Sequence, residues 1–143
     1  MNKKLNCVLF VDDDEFTNLI NVKLVESVKV TEHIQVCCTG KDALEFLTNS
    51  GEYKKENEPF PCPDIIFLDI NMPGMNGWEF LEEYNKLPKT RRDNLIIVML
   101  TTSLNPEDEI TANKLAYVTA FRHKPLTVPM INEIIQTYFP EVG

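Results

Sequence analysis

Side chains able to do phosphoryl chemistry follow the short apolar runs of this sequence. They are Asp12 and Asp13 after the first run, Asp69 after the third, Thr101 and Thr102 after the fourth, and Lys124 after the fifth. Crowded carboxylates raise each other's pKa, and a divalent cation relieves that repulsion. Oxygen ligands favour Mg²⁺ or Mn²⁺ over zinc. Because a hydroxyl and an ammonium group would stabilise a transferring phosphoryl group, we predict phosphoryl transfer to the carboxylate of Asp69.

These side chains can meet only if the apolar runs are parallel strands. The runs cover residues 5–11, 34–38, 65–68, 95–100 and 118–121. They are unbroken rather than alternating, which is typical of parallel strands covered by helices on both faces. Ligands of such sheets bind at the carboxyl ends of the strands, where the acids, threonines and lysine stand.

Segments with the apolar spacing of helices lie between the strands, so the whole sequence has an α/β pattern. Asn105 as a cap and Pro106 at the first helical position predict the start of the fourth helix. Five βα units predict an open, doubly wound sheet. The apolar faces expected to pack are Phe16, Leu19, Ile20 and Leu24; Ala43, Leu44 and Leu47; Phe80, Leu81 and Tyr84; Ile110 and Leu115; and Ile131, Ile134, Ile135 and Tyr138.

The length and net charge of the chain argue against several classes of function. The 143 residues suit one domain. Fourteen Lys and Arg against twenty-two Asp and Glu give a net charge of −8, which argues against binding nucleic acid or an anionic membrane. No signal peptide and no membrane-length apolar run is present, so we expect a cytoplasmic protein.

The four cysteines form no Cys-x-x-Cys pair, which argues against structural zinc. We expect Cys7, Cys37 and Cys38 to be buried strand thiols. Cys62 lies in an irregular stretch, residues 49–63, that is long for a connection inside a domain. We predict that this stretch is a surface excursion and that Cys62 is exposed.

Four ordered motifs resemble the response-regulator receiver domains of two-component signalling. They are Val-Asp-Asp-Asp at 11–14, Phe-Leu-Asp-Ile-Asn-Met-Pro-Gly-Met-Asn-Gly at 67–77, Val-Met-Leu-Thr-Thr at 98–102 and Lys-Pro-Leu at 124–126. The resemblance covers essentially the whole chain. It implies a flavodoxin-like, five-stranded parallel sheet of order 2-1-3-4-5 with five helices. It also implies a single, stand-alone receiver over residues 1–143 without an effector domain.

The resemblance assigns roles to the strand-end residues by position. Asp69 would accept the phosphoryl group. The implied Mg²⁺ ligands are Asp13, Asp69 and the backbone carbonyl of Asn71, with Asp12 acting through water. Lys124, the Thr101 hydroxyl and the Thr102 backbone N–H would contact the phosphoryl oxygens, with Lys124-Pro125 in the cis form. Asn71 and Ser103 would flank the water that hydrolyses the phosphoaspartate.

Family resemblance also implies a conformational switch. The Thr101 hydroxyl would move towards the phosphoryl group and let Phe121, where relatives often have Tyr, turn into the vacated space. The changed surface would be the fourth helix, fifth strand and fifth helix. The implied donor is a sensor histidine kinase or a histidine phosphotransfer protein. Onward relay, allosteric binding of an unknown protein and a phosphorylation-dependent homodimer all stay open.

Two other functions compete with this interpretation. Asp12-x-Asp14 after an apolar strand is similar to the nucleophile motif of Mg²⁺-dependent phosphatases of the haloacid-dehalogenase type, although that reading gives Asp69 no role. A degenerate receiver could act only as a binding module, but the acid, Thr and Lys motifs are intact. We therefore expect a signalling domain, with no enzymatic activity beyond its own phosphorylation and autodephosphorylation.

Overall fold

The computed structural model describes residues 3–55, 57, 59–88 and 95–142. Five parallel strands form one sheet in the order β2-β1-β3-β4-β5, which confirms the predicted fold. The strands are β1 (Val8–Val11), β2 (Ile34–Cys37), β3 (Ile65–Leu68), β4 (Ile96–Thr101) and β5 (Ala120–His123). The helices are α1 (Glu15–Val28), α2 (Gly40–Thr48), α3 (Gly77–Asn85), α4 (Pro106–Lys114) and α5 (Val128–Tyr138), with a 3₁₀ turn at Gly51–Tyr53.

Two strands differ from their predicted bounds by more than one residue, whereas β2 ends one residue early and β4 begins and ends one residue late. The first begins at Val8 instead of residue 5, because Leu5 forms only an isolated bridge to Thr31. The fifth lies two residues later than predicted, since the Val118 N–H bonds to the Leu115 carbonyl in a turn. The fourth helix starts as predicted, with the Asn105 side chain accepting from the Glu107 N–H and Pro106 in the first turn.

The sheet is buried on both faces. Leu9 and Val11 point to the side covered by α2, α3 and α4, whereas Val8 and Phe10 point to the side covered by α1 and α5. All four are at most 1% exposed. Burial on both faces explains why the strands read as unbroken apolar runs. The described helices include none long and apolar enough to cross a lipid bilayer.

The predicted inner face of α1 is wrong for three of its four residues, and only Leu24 packs against the core. Phe16, Leu19 and Ile20 are 70%, 54% and 45% exposed, and the buried residues of α1 are Asn18, Asn21 and Val25. Asp14 caps the helix by accepting from the Phe16 and Thr17 N–H groups, and the Asn18 side chain bonds back to the end of β1. These contacts turn the asparagines towards the sheet and the apolar side chains outwards. Two further expected core positions, Ile110 and Tyr138, are also exposed.

The excursion after α2 lies mostly on the surface, as predicted, but aromatic rings anchor it. The rings of Tyr53 and Phe60 lie 5.4 and 5.5 Å from that of Phe46, which is buried on α2. Asn49 exchanges two hydrogen bonds with the backbone of Lys55. Residues 56 and 58 lie outside the described residues.

The cysteine predictions are mostly confirmed. Cys7 and Cys37 are buried and Cys62 is exposed. The prediction for Cys38 is wrong, because β2 ends at Cys37 and the next side chain is exposed. Burial raises the pKa of both Cys7 and Cys37 to about 12, so these two thiols stay protonated at neutral pH.

Candidate functional site

Three carboxylates converge at the carboxyl edge of the sheet. Asp12 follows β1 and Asp69 follows β3, and these two strands are hydrogen-bonded neighbours. One oxygen each of Asp12, Asp13 and Asp69 lies within 4.8 Å of the other two. Opposite ligands of an octahedral Mg²⁺ stand about 4 Å apart, because each Mg–O bond is ~2.1 Å. The three side chains therefore fit one small divalent cation.

Lys124 approaches the three carboxylates from the end of β5. It follows β5, the Lys124-Pro125 peptide is cis as the resemblance implied, and its backbone N–H bonds to the Thr101 carbonyl at 2.8 Å. The Lys124 Nζ lies 2.6 Å from Asp12 Oδ2 and 3.6 Å from Asp69 Oδ1. The ammonium group thus bridges two of the three carboxylates.

Burial and the neighbouring charges together set the pKa values of Asp69 and Lys124. Burial raises the pKa of Asp69 above its usual value, and the charge of Asp12 adds to that rise while Lys124 opposes it. Burial lowers the pKa of Lys124, but its hydrogen bond to Asp12 and the charges of Asp12 and Asp69 outweigh that effect and raise the pKa overall. The ammonium group is therefore charged at neutral pH, and Asp69 holds its negative charge less easily than in water.

Thr101 and its neighbours line the pocket from β4. The Thr101 side chain is fully buried, and its hydroxyl oxygen accepts from the Ser103 N–H at 3.0 Å. The Ser103 hydroxyl in turn donates to Asp108 of α4 at 2.5 Å. Thr102, the next residue along, is exposed. The structure brings Thr101 to the predicted edge and connects it to the start of α4.

Phe121 lies on the adjacent strand β5, opposite Met99. Its ring is half-buried against the core under α2, α3 and α4. The His123 ring packs edge-on against it at 5.6 Å, and His123 itself is exposed. Phe121 therefore lies two residues before His123, the residue that pairs with Thr101.

The loop after Asp69 closes tightly onto α3. Asn71 is exposed in this loop, two residues beyond Asp69. The Gly77 N–H donates to the Ile70 carbonyl at 2.8 Å. A Cβ atom on Gly77 would stand 2.6 Å from the Asp69 carbonyl oxygen, too close for any side chain. A residue without a side chain is thus required where α3 begins.

Sequence reasoning missed Asn18. Its side-chain N–H donates to the Asp12 carbonyl at 2.8 Å, and the residue is only 4% exposed. The signal was weak, because an asparagine inside a helix ordinarily suggests a solvent-facing position. The alternative helical spacing, with Asn18, Asn21 and Val25 on one face, was the only indication in the sequence.

A cavity of about 330 Å³ opens beside Lys124. Its walls come from α1, through Thr17 and Ile20, and from the segments after β4 and β5. Exposed Phe16 and Leu19 continue the apolar surface of α1. The acidic pocket therefore has an apolar rim on the α1 side.

The chain matches the family model described as "Response regulator receiver domain" over residues 8–136. Among curated proteins it is similar to response regulator Rcp1 of Synechocystis, with 29% identity over 81% of this chain and 77% of Rcp1. It is also 30% identical, over 92% of its length, to the aerobic respiration control sensor protein ArcB of Escherichia coli, of which it spans 15%.

Solved structures agree with the sequence matches. A two-component response regulator from Cytophaga hutchinsonii superposes with a TM-score of 0.81 at 30% identity, covering 97% of this chain and 100% of that one. The Mn²⁺-bound form of Rcp1 superposes with a TM-score of 0.72 at 27% identity, covering 96% of each chain.

Proposed function

Because the chain belongs to the family of response regulator receiver domains, we propose that Asp69 is its phosphoacceptor. Receiver domains of two-component systems take phosphate from sensor histidine kinases, so the donor would be a phosphohistidine on a kinase or on a histidine phosphotransfer protein. The observation that carries this proposal is the bridging of Asp12 and Asp69 by the Lys124 ammonium, beside a third carboxylate. Acceptor, charge partner and cation ligands are all within reach of one incoming phosphoryl group.

In the transfer step an Asp69 carboxylate oxygen attacks phosphorus. The O–P bond forms as the P–N bond breaks, and the electron pair of the P–N bond returns to the histidine ring. Lys124, already 3.6 Å from Asp69 Oδ1, pairs with a phosphoryl oxygen and neutralises part of its charge. The Thr101 hydroxyl and the Thr102 backbone N–H orient the remaining oxygens.

Asp13, Asp69 and the Asn71 carbonyl would hold Mg²⁺, with Asp12 acting through water and Mn²⁺ as a substitute ion. Receiver domains bind Mg²⁺ through acidic residues, and the carboxylate spacing fits such an ion. Mn²⁺ is bound in the similar protein Rcp1. When bound, the ion supplies positive charge against which the carboxylates and the phosphoryl oxygens can approach one another.

Phosphorylation would be read out through Thr101 and Phe121. When the Thr101 hydroxyl turns to the phosphoryl group it gives up its acceptor role for the Ser103 N–H, which loosens the link to α4. Phe121 then turns inwards and changes the surface of α4, β5 and α5, where a protein target or a second copy binds. Ser103 and Asn71 flank the phosphoaspartate and set its lifetime.

The apolar rim of α1 is where we place the donor protein. The donor must bring its phosphohistidine to Asp69, so its contacts surround the acidic pocket. Phe16, Leu19 and Ile20 are exposed on the helix that begins immediately after the acids. Exposed apolar patches of this kind mark protein interfaces.

Acetyl phosphate with Mg²⁺ tests the acceptor directly. We expect intact-mass spectrometry to show one phosphoryl adduct on the wild type and none on Asp69→Asn. Asp64→Asn is the matched control, because Asp64 stands just before β3 and Asp69 just after it. An adduct that persists in Asp69→Asn, or that is absent from the wild type, contradicts the proposal.

The phosphatase alternative makes Asp12 the nucleophile, and the structure does not favour it. One Asp12 oxygen accepts from the Asp14 N–H and the other from Lys124, so both are engaged. Steady turnover of phosphate monoesters that is lost in Asp12→Asn but kept in Asp69→Asn would reinstate it.

A further inference from the structure

Five polar side chains are buried within the described part of the chain. Asp12, Asp69 and Thr101 belong to the proposed phosphorylation site, and Asn18 and Asn21 lie on the inner face of α1. Burying an amide is unfavourable unless its hydrogen bonds are made. The two asparagines occupy positions on α1 where apolar side chains would otherwise pack, and Asn18 is the one that contacts the acids.

The Asn18 side chain makes a hydrogen bond to the peptide that joins Asp12 to Asp13. Its side-chain N–H donates to the carbonyl of Asp12 at 2.8 Å, and this carbonyl belongs to the peptide plane that joins Asp12 to Asp13. On the other side of Asp12, its backbone N–H donates to the Cys37 carbonyl at 3.2 Å. The two bonds fix the direction in which the chain leaves β1.

Asp12 and Asp13 differ in what holds their carboxylates. That of Asp12 accepts from the Asp14 N–H at 2.9 Å and from Lys124 at 2.6 Å. That of Asp13 has no hydrogen-bond or ion-pair partner among the described residues, yet it offers an oxygen within 4.8 Å of those of Asp12 and Asp69. Its position is therefore set by the backbone, which the Asn18 amide holds at the Asp12–Asp13 peptide and the Asp12 carboxylate holds at the Asp14 N–H.

We propose that Asn18 is a positioning residue of the phosphorylation site, which orients the Asp12–Asp13 peptide and thereby places the Asp13 carboxylate for the divalent cation. The proposal rests on the proposed function of the acidic pocket. The second amide atom, Asn18 Oδ1, is buried and has no hydrogen-bond partner among the described residues, so the bond that this amide makes there is the one from its N–H to the Asp12 carbonyl. Its donor group is thus the part of the side chain that the site uses.

Mn²⁺ titration followed by electron paramagnetic resonance measures the effect without any activity assay. Asn18→Leu keeps the approximate size of the side chain and removes the donor without adding a charge beside the acids. We expect it to weaken Mn²⁺ binding ~10- to 100-fold, as loss of the groups behind metal ligands usually does. Asn18→Ala should weaken binding in the same direction, and it serves if the first variant does not fold.

Asn21→Leu is the matched control, because Asn21 is on the same helix face and equally buried but makes no hydrogen bond to the acids. It should bind Mn²⁺ as the wild type does. In the metal-free protein, the ¹⁵N–¹H resonance of Asp13 should move in both Asn18 variants and stay in place in Asn21→Leu.

Equal Mn²⁺ affinity in Asn18→Leu, Asn18→Ala and Asn21→Leu would overturn the positioning role, even if all three had lower stability. A wild type that neither binds Mn²⁺ nor becomes phosphorylated on Asp69 would instead overturn the proposed function. The two failures are therefore distinguishable.

Discussion

Helices α1 and α5 pack side by side on one face of the sheet but use opposite residue types to do so. α5 buries Ile131, Ile134 and Ile135, as its spacing predicted. α1 buries two asparagines and one valine, and exposes Phe16, Leu19 and Ile20. Both helices contribute to the same hydrophobic cluster, α1 mainly through Val25 in its second half.

The difference follows from where each helix begins. α1 starts directly after the acids of β1, so the inner side of its first turns faces charged and hydrogen-bonding groups. α5 starts after Lys124 and Leu126, and its inner side faces apolar strand residues. We infer that α5 stabilises the domain, whereas the first half of α1 serves the site on its inner side and the donor protein on its outer side.

The largest expected effect is on stability. Ile134→Ala should lower the free energy of unfolding by about 2–5 kcal/mol, because it opens a cavity in the core. Leu19→Ala should change it by no more than about 0.5 kcal/mol, because Leu19 is exposed. Urea unfolding of both variants measures the contrast. An equal loss of unfolding free energy in the two variants would mean that the apolar face of α1 is buried in the core.

Phosphotransfer should be more sensitive to α1 than to α5. Leu19→Asp places a charge in the proposed donor interface, and we expect a loss of about 2 kcal/mol in binding a phosphohistidine donor, roughly 30-fold in transfer at low donor concentration. Gln136→Asp, on the exposed side of α5, is the control. Phosphorylation by acetyl phosphate should be unchanged in both, so a slower reaction with this small donor would point to damage of the pocket itself.

The N-caps of the two helices should contribute almost equally. Asp14 caps α1 and Thr127 caps α5, each by accepting backbone N–H groups of the first turn. Replacing either by Ala should cost about 1 kcal/mol in unfolding experiments. A much larger loss for Asp14→Ala would show that the cap also supports the acidic cluster.

The smallest expected effect is a pH dependence of stability that comes from Asp69 at the carboxyl edge of the sheet. The pKa of Asp69 is raised mainly by burial, so the native state binds this proton more tightly than the unfolded state does. Stability from this group is present below its unfolded pKa of about 4 and is lost as the pH rises through the folded pKa. Asp69→Asn should therefore gain stability over the wild type as the pH rises to 7.

Urea unfolding of the wild type and Asp69→Asn at a series of pH values measures this gain. A gain that is as large below the unfolded pKa as at pH 7 would mean that the charge of Asp69 is not its cause.

Sequence reasoning located the strands and the acids for the same physical reason. Strands buried on both faces are apolar without interruption, so the first polar residue after each run marks the sheet edge. That rule found Asp12, Asp69 and Thr101, all of which lie where it predicted. The roles assigned to these residues, and to Lys124, stay predictions until phosphorylation is measured.

The sequence did not predict which face of α1 is buried. Apolar spacing identifies a helix face, but it does not say whether that face packs against the sheet. Phe16, Leu19 and Ile20 have the spacing of a core face, and only the contact between Asn18 and the Asp12 carbonyl shows that another face is turned inwards. Cys38 was misplaced for a smaller reason, since a shift of one residue at a strand end exchanges inside for outside.

The close approach of Gly77 to Asp69 has a consequence for how this protein can vary. The smallest side chain at position 77 would collide with the carbonyl oxygen of Asp69 at 2.6 Å and with the Ile70 Cα at 2.9 Å. The backbone of the acceptor would have to move before any other residue could be accommodated. In a library of single substitutions, position 77 should therefore tolerate as little as position 69 itself, although its own atoms take no part in the chemistry.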